Sequence, residues 1–204
     1  MSGIIAQNSG RHTGLIKAAS AAGVWNLIKT YTASSDSTLS FVEGTDGVDF
    51  TAYDEFVFKF FDIHPATNDV NFEFNMSTDG GSNYNVTKTT TFFNGFHTEA
   101  DGGEEVTYIT SRDLAQSTSN ASITREIGNL NDESTSGNLF LFSPSSTTFV
   151  KHFISRFQDY SHADAAFDSF SAGYGNTTSA VDAIQFSMSS GNIDTGDICL
   201  YGIK

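Results

Sequence analysis

The side chains best suited to acid–base or metal chemistry are five histidines, His12, His64, His97, His152 and His162, and they are scattered singly. Metal and metalloprotease motifs place two or more imidazoles or thiolates at a fixed short spacing, and no such pair occurs. Each histidine is therefore expected to have a hydrogen-bonded structural role. Three acidic stretches offer oxygen ligands on pliable backbone: Asp46-Gly-Val-Asp49, Asn75 with Asp79-Gly80, and Asp101-Gly-Gly-Glu104-Glu105. None has the spacing of a calcium loop, and Asp-Gly is also ordinary turn chemistry. Asp101 is the best placed of these acids, yet neither a metal nor a cofactor is expected.

Covalent catalysis finds no support either. The Gly-x-Ser-x-Gly elbow, the phosphate loop and the dinucleotide fingerprint are missing, and Gly173-Tyr-Gly175-Asn is too short to count. Glycoside hydrolysis would need two carboxyls held about 5 to 10 Å apart in a cleft, whereas most acids here sit in turn-like stretches. Cys199 is the single cysteine, so no intrachain disulfide forms; its alternating surroundings suggest a small apolar filler. Four Asn-x-Ser/Thr matches, at Asn75, Asn85, Asn120 and Asn176, are what chance gives in a Ser/Thr-rich chain. A non-enzymatic protein is expected.

Binding residues are the alternative. The net charge of −14 disfavours attraction to nucleic acid or an anionic membrane. Charge is uneven, however: Arg11, Lys17 and Lys29 precede the first acid, Asp36, so residues 1–35 carry +3. These three cations are the candidates for docking an acidic partner. A second candidate set is aromatic. Phe167, Phe170 and Tyr174 are spaced through a Gly-, Ser- and Asn-rich stretch from Asp159 to Ala180 that resembles a loop, where they would serve as a glycan platform, a subunit contact or a plug for the fold.

The elements that must hold these residues are strands. The chain contains 19 Phe and 7 Tyr but only 2 Pro, so its turns depend on Gly, Asn, Asp and Ser. In DEFVFKFFDIHP, Phe56, Phe58 and Phe60 share one face and Val57 and Lys59 the other; DVNFEFNMS repeats the alternation, and the two should form a hairpin or close sheet pair. Leu139 to Phe142 is continuously apolar, as in a strand covered on both faces. Counting such runs predicts eight to ten strands: an all-β, two-layer antiparallel β-sandwich, jelly-roll-like, over 25–204, preceded by an extended N-terminal arm at 1–24. The closing stretch AIQFSMSSGNIDTGDICLYGIK should pair its last strand with its predecessor and so close one edge. The first 25 residues lack the apolar core of a secretory signal, and no apolar run is long enough to span a membrane as a helix.

Several stretches carry a family likeness. The ending IQFSMSSGNIDTGDICLYGIK, the opening IIAQNSGRHTGLIKA, and YDEFVFKFFDIHPATNDVNFEFNMSTDGGSNY, DLAQST and FSPSSTTFVKHF resemble exterior virion structural proteins of tailed phages, marine and cyanobacterial ones above all. Such building blocks recur in tail fibres, head fibres and head decorations. The resemblance implies a virion location, contacts with capsid or tail proteins, no catalytic residues, and an oligomer, with a trimer the preferred state. Its alternative form is a receptor-binding module for host-surface glycan.

Overall fold

Phe56, Phe58 and Phe60 are all buried, while Lys59 between them faces outward, so the period-two pattern is realised. The computed structural model describes residues 25–203; the 1–24 arm, with Arg11 and Lys17, lies outside the described residues. Within them the structure is all-β. The strands are β1 (Trp25–Thr32), β2 (Leu39–Val42), β3 (Glu55–Pro65), β4 (Phe72–Ser77), β5 (Lys88–Thr98) and β6 (Glu105–Tyr108). There follow β7 (Ala121–Ser122), β8 (Thr135–Phe142), β9 (Lys151–Ser161), β10 (Ala165–Gly175), β11 (Ala183–Met188) and β12 (Ile193–Ile203).

They form two antiparallel sheets, a large one in the order β1-β12-β3-β8-β9-β10-β5-β6 and a small one in the order β2-β11-β4-β7. The sandwich is held by an aromatic core. Phe186 on β11 meets the rings of Phe41, Phe58, Phe60, Phe72 and Phe74, mostly edge to face. Such pairs add to the gain from burying each ring, which is what lets a Phe-rich core specify one packing.

Away from this core the interior becomes polar. The inner face of β5 is covered by segment 109–130, tied on by Leu114 N–H to Thr90 Oγ1 and Lys88 N–H to the Ser117 carbonyl. Beneath it Asp159 on β9 is fully buried and accepts the Thr135 and Ser169 hydroxyls and the Arg125 N–H. Lys88 is also enclosed; its Nζ donates to Asn75 Oδ1 and the Val86 carbonyl.

Three sequence expectations are corrected. The last strand does not pair with its predecessor: β11 lies in the small sheet and β12 in the large one, between β1 and β3. The Ser189–Asn192 turn crosses from one layer to the other, so each strand turns its apolar residues into the shared core. For the same reason β3 and β4 face one another across the core instead of forming a hairpin. Finally, the supposed loop from Asp159 to Ala180 contains the end of β9 and all of β10, joined through residues 162–164. Its small residues had suggested a loop, but they are strand residues in close quarters: a Cβ on Gly173 would lie 2.4 Å from the Thr89 carbonyl oxygen.

Candidate interaction surface

In a sandwich the outer face of a sheet is normally its polar face. The small sheet obeys this. Ser40, Gln185, Ser187 and Glu73 occupy outward positions, with Gln185 Nε2 donating to Ser40 Oγ.

The large sheet does not. Its register aligns Leu27, Tyr201, Val57, Phe140, Ile154 and Ala172 in one row of the same parity across six consecutive strands, with Leu27 and Ile154 exposed, Tyr201, Phe140 and Ala172 half-buried and Val57 fully buried. The next row begins Trp25, Ile203, Glu55, Phe142. Among the described residues, nine large apolar or aromatic side chains are exposed, and seven face outward from this sheet: Trp25, Leu27, Phe61, Phe93, Val106, Tyr108 and Ile154. Phe149 stands at the rim, 71% exposed. Two open hollows indent this surface, one of about 490 Å³ between Phe142, Ile154 and Tyr174, the other of about 420 Å³ between Phe142, Phe149 and His152.

The aromatic candidates separate by strand parity. Phe167 points inward and is 4% exposed, set against Phe96 with the Arg125 guanidinium over its ring. Phe170 points outward, but its two faces are taken by cross-strand neighbours. Phe93 stacks on one from β5, and Arg156 covers the other from β9, itself held by Asp168 through two hydrogen bonds at 2.9 and 2.8 Å. Tyr174 is the outward member with an open setting, at the wall of the larger hollow beside His152. Lys29 belongs to β1, where its Nζ is 2.9 Å from Asp46 Oδ2 and lies over the Tyr31 ring. Cys199 faces outward near Thr30 Oγ1, while Ile198 and Leu200 beside it fill the core, which corrects the expectation of an interior filler.

The acidic turns are built by their own carboxylates. Asp79 accepts from the Asn83 side-chain amide, the Asn83 backbone N–H and the Ser77 hydroxyl, and these bonds hold its carboxyl below the usual carboxylate range. Asp49 does the same for Thr51. His97, Asp101 and Glu104 converge around the β5–β6 turn with ligand atoms within 4.8 Å of one another, all three exposed. Beside them is a polar cleft of about 380 Å³ lined by Glu99, Asp132, Gln158 and Tyr160. There the Tyr160 hydroxyl donates to Glu99, and this bond pushes its pKa up to about 12, unfit for acid–base work near neutrality.

The outward row was not singled out from the sequence. Its signal was present, since Phe140 and Phe142 place apolar residues on the second parity of a strand already apolar on the first. Comparison with protein-family models, curated proteins and solved structures found no match.

Proposed function

We propose that this chain is a non-enzymatic structural protein of a phage virion, a head decoration or short-fibre component, anchored by its N-terminal arm and assembled as an oligomer, a trimer by preference. The observation that carries this reading is the gathering of exposed apolar side chains on one sheet face, with the small sheet left polar. An apolar face of this kind suits a subunit that is covered by a neighbour in an assembly. The likeness of the ending and opening motifs to exterior virion proteins supplies the setting. Glycan recognition, the alternative, draws less support from the geometry, because Phe170 has no ring face left to stack on a sugar.

The test is deletion of residues 2–24 in the phage that encodes the protein. The truncated chain should keep its β-sheet circular dichroism and its thermal transition, yet be missing from purified particles by mass spectrometry. Particles that still carry it would refute anchoring by the arm. Finding the full-length chain only in the soluble lysate would refute the virion role.

A further inference from the structure

We infer that the apolar outer face of the large sheet, centred on the Leu27–Tyr201–Val57–Phe140–Ile154 row, is the contact between copies of this chain. This takes up the self-association within the proposed virion role and does not depend on where the assembly sits.

Charge selects the occupant. The chain carries −14, so two copies repel wherever their acidic surfaces meet. On the outward positions of the large sheet's strands, Lys59 and Arg156 stand against Glu55, Asp62, Asp168 and Asp197, so the face holds only a small share of the chain's negative charge. A partner recognised through opposite charge would be met by the acidic remainder of the surface. This face instead offers a second copy apolar area with little repulsion.

Shape points the same way. Phe149 and Ile154 project, 71% and 52% exposed, and each borders a hollow lined by Phe142. Knob beside hole is the arrangement that a neighbouring copy can fill, its knob entering this copy's hollow around a closed ring such as a trimer. The extent is sufficient as well. Six strands about 4.8 Å apart and three outward positions per strand give a planar footprint of about 600 Å². Side-chain relief raises that toward the about 800 Å² per partner of a stable interface.

Analytical ultracentrifugation of the full chain from about 1 to about 100 μM tests this. Wild type should sediment as an assembly at the upper end. Ile154→Glu and Phe149→Glu, both at exposed positions, should each raise the dissociation constant at least about tenfold by burying a charge in the contact. Gln185→Glu on the polar small sheet should leave it unchanged. The single tryptophan, Trp25, lies on the proposed contact, so its emission should shift to the red as wild type dissociates on dilution; this readout requires no variant to fold. A wild type that stays monomeric throughout overturns the inference, whether the face is then covered by the chain's own residues 1–24 or by another protein. Assembly with wild-type affinity in both outer-face variants, or dissociation with unchanged Trp25 emission, overturns it equally.

Discussion

Ser169 Oγ donates to Asp159 Oδ2 at 2.6 Å across the β9–β10 pair, and Thr135 Oγ1 reaches the other carboxylate oxygen at 2.5 Å, all fully enclosed. Burial pushes the pKa of Asp159 up to about 7 from 3.8. Protonation also resolves a shortage, because the one hydroxyl proton of Thr135 lies within reach of both Asp159 and the Gln158 carbonyl. A protonated Asp159 can donate to Thr135 while Thr135 donates to Gln158.

The pH dependence follows from this. Between about 4 and about 7 the folded chain keeps a proton that the unfolded chain has released, so stability is greatest in acid and falls as pH rises through this window. The slope approaches about 1.4 kcal/mol per pH unit. Asp159→Asn should remove it. Urea melts at pH 5 and pH 8 should show the variant gaining a few kcal/mol on wild type at the higher pH; a gap that stays constant would contradict a protonated interior carboxyl.

Lys88 gives an effect of the opposite sign at the alkaline end. Burial lowers its pKa to about 8 from 10.5, so between these values the unfolded chain holds a proton that the folded chain lacks. Stability through this group therefore rises with pH from about 8 to about 10, and is withheld below. Lys88→Met should flatten that part of the stability–pH curve, measured as the difference between variant and wild type.

Phe186 is where the two layers lock. Phe186→Ala removes a ring from contact with five others and leaves a cavity at the centre of the aromatic core. A loss of about 3–5 kcal/mol in chemical denaturation is expected. A loss below about 1 kcal/mol would mean that the sheets repack readily and that the core is less specified than its geometry implies.

Gly196 sits where β12 shifts register against β3, at φ 117°. A Cβ there would meet the Asp62 carbonyl oxygen at 2.7 Å and Ile63 Cα at 2.8 Å, both on a neighbouring backbone that cannot swing aside. Gly196→Ala should cost about 2–3 kcal/mol, seen as a lowered midpoint in thermal or denaturant melts. Gly80→Ala provides a milder comparison: its φ of 71° lies near the left-handed helical region and the space around it is open, so it should cost less than Gly196→Ala.

What the sequence revealed, and what it hid, divides along one physical line. Alternation reports which residues share a face, so Phe56-Phe58-Phe60 and Ile184-Phe186-Met188 were legible as inward sets. It does not report which strand lies alongside. Adjacent strands in sequence can pair or can oppose one another across a core with the same pattern, and this is why the β11–β12 and β3–β4 relations were misjudged. The hairpin of β9 and β10 was half hidden because Ser, Ala and Gly signal loops by composition, whereas here they make room for aromatic rows on both faces. As for the surface, Phe170 and Tyr174 were visible as aromatics, but the row through Leu27 and Ile154 exists only once six strands have been set in register.

That register also fixes the timetable of folding. Among the described strands β12, the latest in sequence, is an interior member of the larger layer, inserted between β1 and the Phe-rich β3. During translation β3 must wait, one edge unclaimed, until the ribosome has delivered some 140 further residues, a topology that folds slowly and leaves sticky backbone exposed meanwhile. A nascent chain therefore presents the open β3 edge and its Phe-rich face to its surroundings until β12 emerges, so added chaperones should raise its soluble yield.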